Sequence, residues 1–180
     1  MRSSAKDLSP FQPQGTHKGA PMSIGIRRVI TGHDKNGRAI VQIDEDITNA
    51  SSGRVGVTSS VAWSTKGFPV DNEGNIDPTS GVYKTTLDNG SIFRIVRYQP
   101  GVLPRNHRTD SIDYAVVMSG QIDMELDDGV VVTLRTGDVL VQRGTVHNWN
   151  NRYAEDCIIA FVLISAKPVT LNGQTLSAHG

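Results

Sequence analysis

The sequence predicts an all-β protein, and three observations carry that prediction. From Ile24 onward the apolar residues recur with a period close to two, which is typical of strands with one buried face. Glycine and aspartate residues separate these short apolar segments at close spacing, as in an antiparallel sandwich or barrel. After residue 23 no apolar pattern of period 3.6 is long enough to indicate a substantial helix.

The clearest strand pattern lies at residues 121–127, where polar and apolar side chains alternate at every step. Alternation places Ile122, Met124 and Leu126 on one face and the charges on the other. An Asp-Gly pair follows, which favours a tight hairpin turn. Together with shorter segments, the pattern predicts strands at 26–31, 40–43, 61–63, 82–86, 91–98, 112–119, 121–127, 129–134, 138–142 and 157–165.

The length of 180 residues suits a single domain. Residues 1–22 are rich in Pro, Gly, Ser and Gln, so they bury too little apolar surface to offset the entropy of ordering. We therefore expect a disordered N-terminal tail over 1–22. N-terminal strands and an arm are expected over 23–80, a barrel core over 81–168 and a C-terminal tail over 169–180. The arm is expected either to cross the surface or to pack on another subunit.

Composition bears on partners and location. Lys plus Arg and Asp plus Glu number 18 each, so balanced charge gives no reason to expect a nucleic acid or an anionic membrane. No apolar run is long enough for a transmembrane helix, and the N-terminus lacks the apolar core of a secretory signal. A cytoplasmic location is the default expectation. Cys157 is the single cysteine, which excludes an internal disulfide and predicts a buried structural thiol.

Two blocks of residues carry the chemistry. The first block has five, one, three and six residues between its members, which are Gly101, His107, Thr109, Asp113 and Gly120. The second has four, two and three residues between its members, which are Gly137, Gln142-Arg143-Gly144, His147 and Asn151. These blocks resemble the paired motifs of the cupin superfamily, in particular small single-domain cupins with the type-2 conserved barrel. The resemblance covers residues 92 to 165 and implies a double-stranded β-helix, a jelly-roll barrel.

The resemblance also implies a divalent metal ion, Fe, Zn, Mn or Ni, held by His107, Asp113 and His147. Two imidazoles and a carboxylate suit such metals and leave positions open for substrate. This chain departs from the family pattern at Thr109, where cupins usually have a second His, and at Asp113, where they usually have Glu. It also has Gln142 in place of the usual Pro. Because Thr109 replaces the second His, a four-ligand site is not expected.

Each site residue also has a plainer interpretation. His107 could be a solvated loop residue, and His147 a turn residue packed on Trp149. Asp113 could form an ion pair with Arg94 or Arg105, since a paired carboxylate costs less to bury than a lone one.

Further side chains are assigned by parity and by strand position. Trp149 shares parity with His147, so we expect it to form an aromatic wall of the pocket. Arg94, Tyr98 and Phe161 lie on flanking strands and are predicted to contact substrate. Tyr114 has the opposite parity to Asp113, and would be a catalytic acid or base, with Asp113 and His107, only if a bulge turned it inward.

Two functions are compatible with these residues. The first is a metal-dependent enzyme, of decarboxylase or oxygenase type, that acts on a small oxygenated metabolite. The alternative is a metal-free cupin, which either binds a small ligand or uses His107 and Asp113 as the acid–base pair of an isomerase or epimerase. A metal-free epimerase is expected to keep a His–Asp hydrogen bond and an inward tyrosine. A small molecule is the expected partner, and a homodimer is the expected assembly.

Overall fold

A computed structural model describes residues 23–180 of the chain. Within this range nearly all ordered structure is β, as predicted, with two short 3₁₀ turns at Pro78–Ser80 and Asp127–Gly129. The tail predicted for residues 1–22 lies outside the described residues. The strands are β1 Arg27–His33, β2 Ala39–Asp46, β3 Ser51–Arg54, β4 Val57–Lys66, β5 Gly90–Tyr98, β6 Ser111–Ser119, β7 Gln121–Glu125, β8 Val131–Arg135, β9 Val139–Arg143, β10 Asn148–Asn150, β11 Cys157–Ser165, β12 Val169–Leu171 and β13 Gln174–Leu176.

Two antiparallel sheets enclose the interior of the barrel. The larger has six strands in the order β3-β4-β5-β11-β6-β9, and the smaller has three in the order β10-β7-β8. Their inward side chains form one core, because successive residues of a strand point to opposite faces. Buried residues of that core include Ile92, Val117, Ile122, Met124, Trp149, Ile159 and Phe161.

Strand β11 is the central element of the larger sheet. It pairs with β5 on one side and with β6 on the other, both antiparallel. Its residues alternate between buried and half-buried, so its inner face is covered more fully than its outer face. Cys157 begins this strand and is fully buried, which confirms the prediction of a structural thiol.

The turn between β7 and β8 follows the sequence prediction. Asp128 and Gly129 both have positive φ, at 57° and 73°. Two consecutive positive φ angles are what a tight hairpin with right-handed strand twist requires, and Asp-Gly adopts them at low cost. The hairpin holds Ile122 and Met124 inward, opposite the larger sheet.

The N-terminal region contributes more to the barrel than predicted. Strand β4 pairs with β5 along nine register positions, so part of the expected arm belongs to the main sheet. The strand predicted at 82–86 is absent, and this segment is held by side chains instead. The Tyr83 hydroxyl contacts the Ser64 hydroxyl at 2.8 Å and donates to the Pro78 carbonyl. Such contacts leave no alternation signal in the sequence.

Arg28 connects the β1–β2 hairpin to this region. Its guanidinium pairs with Glu45 and Asp77, and its Nη1 donates to the Ala62 carbonyl of β4 at 3.2 Å. The side chain is only 8% exposed, so the two carboxylates neutralise a largely buried cation.

The C-terminal segment is ordered where a tail was predicted. Strands β12 and β13 form a hairpin, and the backbone of His179 bridges that of Arg108. Within residues 23–180 no helix has the length and apolar character needed to cross a membrane.

Candidate functional site

A cavity of about 800 Å³ lies inside the barrel, on the inner face of the larger sheet. We call it the barrel cavity. It collects most of the side chains that the sequence singled out. Its functional lining consists of Arg54, Tyr83, Lys84, Arg94, Tyr98, Arg105, His107, Thr109, Asp113, His147, Trp149 and Phe161.

His107 and His147 form a close pair on the cavity wall. Their backbones make two reciprocal hydrogen bonds of 3.0 Å, and their ring centroids lie 4.2 Å apart. Both residues are buried, which contradicts the interpretation of His107 as a solvated loop residue. His147 also meets Trp149 edge-on at 5.9 Å, so it packs on that ring as the plainer interpretation proposed.

Backbone carbonyls orient both imidazoles. The Nδ1 atom of His107 lies 3.0 Å from the Arg105 carbonyl, and that of His147 lies 3.1 Å from the Thr145 carbonyl. A carbonyl only accepts, so each Nδ1 carries the proton and each Nε2 keeps its lone pair. Burial lowers the pKa of His147, and burial and the neighbouring imidazole lower the pKa of His107 to about 4. Both rings are therefore neutral near pH 7.

Asp113 is the carboxylate of the cavity and is only 4% exposed. The Ser111 hydroxyl donates to its Oδ1 at 2.6 Å and lies 2.9 Å from the Thr109 hydroxyl. Burial raises the pKa of Asp113 to about 6, while the hydrogen bond from Ser111 opposes that rise. A carboxyl group of this kind is half-protonated near pH 6 and mostly ionised at neutral pH.

The ion pair considered for Asp113 is not formed. In the described part of the chain no arginine reaches its carboxylate. Arg94 instead donates to the Lys84 carbonyl and Arg105 to the Gly180 carbonyl. Asp113 is therefore a buried acid with no cationic partner among residues 23–180.

The predicted metal triad is only partly assembled. The structure brings the two histidines together, and Asp113 faces the same cavity. Among residues 23–180, however, no three His, Cys, Asp or Glu side chains are grouped closely enough to hold a metal ion. The two Nε2 atoms suit a transition metal, but the third ligand is not beside them, so the residues do not form the three-ligand centre predicted.

The predicted acid–base pair is not bonded either. His107 uses Nδ1 for the Arg105 carbonyl, and Asp113 uses Oδ1 for Ser111. No hydrogen bond joins the two side chains in the structure as described. A cupin of the epimerase type would require that contact.

Aromatic residues form one wall of the barrel cavity, as predicted. Trp149 packs edge-on against Phe161 with ring centroids 5.5 Å apart, and Tyr98 lies 6.0 Å from Trp149. All three side chains are largely buried and border the cavity. Burial raises the pKa of Tyr98, so its hydroxyl stays protonated and remains a hydrogen-bond donor.

The catalytic role considered for Tyr114 is wrong. Its side chain is 48% exposed and does not border the cavity. Strand β6 continues in regular register through Asp113 and Tyr114, so no bulge turns the tyrosine inward.

Sequence reasoning did not include three cationic residues among the site residues: Arg54, Arg105 and Lys84. Arg105 had a signal, because it lies two residues before His107 and so shares its parity. Arg54 and Lys84 had none. They reach the cavity because β3 joins the main sheet and because the segment around Tyr83 folds against it.

Comparison with known proteins places this geometry in a family. Residues 94–164 match the cupin domain family. The cupin-domain-containing oxidoreductase virC of Hypocrea virens is 31% identical over 158 residues, which cover 82% of this chain and 81% of that protein. The chain belongs to the cupin family. Another relative, the phomopsin biosynthesis cluster protein C′ of Diaporthe leptostromiformis, is 38% identical over 83% of each chain.

Solved structures with the same fold are more distant. A protein with a double-stranded β-helix domain from Klebsiella pneumoniae is 24% identical, with a TM-score of 0.40 over 50% of this chain and 76% of that one. The polyketide cyclase RemF from Streptomyces resistomycificus is 16% identical, with a TM-score of 0.45 over 66% and 72%. The two antiparallel sheets, together with the match to the cupin domain family, confirm the predicted all-β double-stranded β-helix.

Proposed function

We propose that this cupin is an enzyme that moves a proton on a small oxygenated metabolite, with Asp113 as the general base. One observation carries the proposal. A carboxylate that is 4% exposed lies on the wall of a cavity of about 800 Å³ with no cationic partner among residues 23–180. A base is most effective when its pKa lies near the working pH, and burial brings the pKa of Asp113 to about 6.

The proposed reaction is isomerisation through an enol. The ionised Asp113 takes a proton from a carbon next to a carbonyl group, and the electron pair of that C–H bond moves to the carbonyl oxygen. Where a C=C bond lies next to that carbon, Asp113 returns the proton to the far end of the C=C bond while the carbonyl group re-forms, so the double bond moves by one position and nothing is oxidised. Positive side chains around the cavity stabilise the enolate, because charges that are already in position act on the developing negative charge without rearrangement. The Ser111 hydroxyl holds the carboxylate in position.

The names of relatives support a role in small-molecule biosynthesis. Two of them are a phomopsin biosynthesis cluster protein and an oryzines biosynthesis cluster protein of Aspergillus oryzae. The aromatic wall formed by Tyr98, Trp149 and Phe161 suits a substrate with a ring or another flat apolar part.

The test uses 2-tetralone, a ketone whose α-carbon protons exchange slowly in neutral water. In D₂O, NMR should show that the protein accelerates deuterium uptake at that carbon. Asp113→Asn should abolish the acceleration, because the amide has no proton affinity in this range. Asp127→Asn, at an exposed turn, should leave it unchanged. Equal exchange rates in wild type and Asp113→Asn would contradict the proposal.

A second candidate is the metal-dependent decarboxylase or oxygenase. One observation favours it: both Nδ1 atoms of the histidine pair are fixed by carbonyls, which leaves two Nε2 lone pairs on the cavity wall. Metal-binding histidines are commonly oriented in this way. Several relatives are named cupin-domain-containing oxidoreductases, which agrees with redox chemistry. Asp113 would have to move towards the histidine pair to complete the centre.

Elemental analysis distinguishes the two candidates. The purified protein is loaded with Fe, Zn, Mn or Ni in turn, and the bound metal is measured beside that of His147→Ala. A stoichiometric metal that is lost in the variant, together with exchange activity that depends on it, would favour the second candidate. Exchange that persists in metal-stripped protein would favour Asp113 acting alone.

We also propose a homodimer. The outer face of the larger sheet exposes a continuous group of apolar side chains on its neighbouring strands β6 and β9. Monomeric proteins rarely expose large apolar patches, and a second copy of the chain would cover this one. The members of this group, which we call the outer patch, are Tyr114, Val116, Met118, Val139 and Val141.

A further inference from the structure

The barrel cavity is strongly unbalanced in charge. Among residues 23–180, four side chains that carry a positive charge near pH 7 border it, whereas Asp113 is the single carboxylate that does so. Both histidines are neutral because burial lowers their pKa values. The four cations are Arg54, Lys84, Arg94 and Arg105.

These cations have no acidic partners in the described residues. The guanidinium of Arg54 donates to the Leu103 carbonyl at 2.6 Å, and that of Arg94 to the Lys84 carbonyl at 2.7 Å. Some arginines outside the cavity are paired: Arg27 with Asp44 and Arg28 with Glu45 and Asp77. The cations that border the cavity have no such counter-charge among residues 23–180.

Arg94 is the cation best placed to meet a substrate. It lies in the middle of β5, beside Phe161 in register, and Phe161 pairs in turn with Ala115 of β6. Its Nε atom is buried and has no hydrogen-bond partner. An unsatisfied donor of this kind costs stability unless a ligand accepts from it.

The register also relates Arg94 to the proposed base. Asp113 precedes Ala115 by one inward-facing position on β6, and one strand separates it from β5. Two strand spacings and one two-residue step put the two Cα atoms about 12 Å apart. Side chains that reach inward from both ends leave room for a ring-sized molecule between the guanidinium and the carboxylate.

We propose that Arg94 binds a carboxylate of the substrate, so that the barrel cavity takes carboxylic acids with the reactive carbon held at Asp113. The inference rests on the proposed function for the position of the reacting carbon, but not for the anion site itself. A guanidinium binds a carboxylate through two parallel hydrogen bonds, which fixes orientation as well as position. The Nε atom of Arg94 supplies one of these donors without breaking the contact between its Nη2 and Lys84.

The experiment compares two probes of nearly equal shape by titration calorimetry. They are 3-phenylpropanoate, which carries the charge, and 3-phenylpropanamide, which does not. Wild-type protein should bind the carboxylate at least tenfold more tightly. Equal affinities for the two probes would overturn the proposal directly, without any variant.

Variants then locate the anion site. Arg94→Gln should remove the preference for the carboxylate, and Arg94→Lys should restore part of it because it keeps the charge. The matched control is Arg97→Gln, on the outer side of the same strand and within 3.7 Å of Asp156, and it should behave as wild type. Unchanged discrimination in folded Arg94→Gln would overturn the assignment to Arg94. If Arg94→Gln fails to fold, Arg94→Lys takes its place. A carboxylate preference in Arg94→Lys equal to that of wild type would then overturn the assignment to Arg94.

A final comparison separates this inference from the proposed function. Asp113→Asn should retain the carboxylate preference while it loses deuterium exchange on 2-tetralone. If wild-type protein discriminates between the probes but catalyses no exchange, the proposed base is wrong and the anion site stands. If it catalyses exchange but does not discriminate, the anion site is wrong and the base stands.

Discussion

The two faces of the larger sheet depart from the usual distribution of polarity at a few positions each. On its inner face, β6 carries Asp113, which is 4% exposed, and the next residue outward, Tyr114, is 48% exposed. Val116 and Val141 are also exposed on the outside, while Arg94 reaches into the cavity. An antiparallel sheet with one wet face normally has apolar residues inside and polar residues outside. Our proposals give each departure its own explanation: a ligand on the inside and a second copy of the chain on the outside.

The largest contrast is expected from a matched pair of truncations on β11. Ile159 is fully buried in the core, whereas its neighbour Ile158 points outward and is half-buried. Ile159→Ala should lower the free energy of unfolding by about 2–5 kcal/mol, because it leaves a cavity in the core. Ile158→Ala should cost roughly 1 kcal/mol or less. Urea denaturation of both variants measures the difference, and equal losses would show that the outer face is covered as fully as the inner.

A second substitution tests how much stability the protein loses by burying the ionised Asp113 on the inner face. Asp113→Asn should raise the free energy of unfolding at pH 7 by about 3 kcal/mol, which corresponds to a pKa raised from 3.8 to about 6. Because the folded-state pKa is raised, wild-type protein loses this stability as the pH rises from about 4 to above 6. The gain should therefore vanish below about pH 4. Urea denaturation at pH 4 and pH 7 tests this, and a variant less stable than wild type at pH 7 would indicate that the ionised Asp113 has a stabilising partner.

The outer patch should control self-association. Val116→Lys places a charge on the exposed face of β6 without disturbing the core. It should weaken dimerisation at least about tenfold, or about 1.4 kcal/mol, because an unpaired charge is costly to bury. Sedimentation velocity over a concentration series measures the effect, with Lys35→Glu, in an exposed loop, as the control. A wild-type protein that sediments as a monomer at all concentrations would remove the homodimer.

The smallest effect is expected at the ion pair between Arg28 and Asp77. The hydrogen bond from Arg28 lowers the pKa of Asp77 to about 2. Since the folded-state pKa is depressed, the contribution is present above the unfolded value near 4 and is lost as the pH falls through about 2. Asp77 is one-third exposed, so Asp77→Asn should cost only about 1 kcal/mol at pH 7. Thermal melts at pH 7 and pH 2.5 should show a difference that shrinks in acid.

The sequence alone predicted most strands and several of the side chains that face the barrel cavity. Period-two alternation predicted β7 most clearly, because it follows from burial of one face of a strand, and apolar segments between turn residues predicted β6 and β11. Motif spacing predicted that His107 and His147 share a site, and parity placed Trp149 beside them. Parity also pointed Tyr114 outward, and considering it as a catalyst required a bulge that the register does not contain.

What sequence could not supply depends on non-local contacts. The length of β4 and its place beside β5 arise from pairing across the chain, and polar residues such as Ser60 and Ser64 hid its pattern. Whether Asp113 reaches the histidine pair depends on a difference of one methylene group and on the Ser111 hydrogen bond. Spacing does not encode either quantity.

The bridge between Arg108 and His179 has a practical consequence for anyone who handles the protein. Gly180 lies against His107, where even a methyl group on its Cα would approach the His107 Cβ to 2.5 Å, and its carbonyl accepts from Arg105. Residues joined to Gly180 would therefore emerge next to the histidine pair. A polyhistidine tag at that end would bring extra imidazoles to the cavity and could bind metal there itself. A tag placed away from Gly180 avoids this artefact, so elemental analysis of bound metal requires protein prepared in that way.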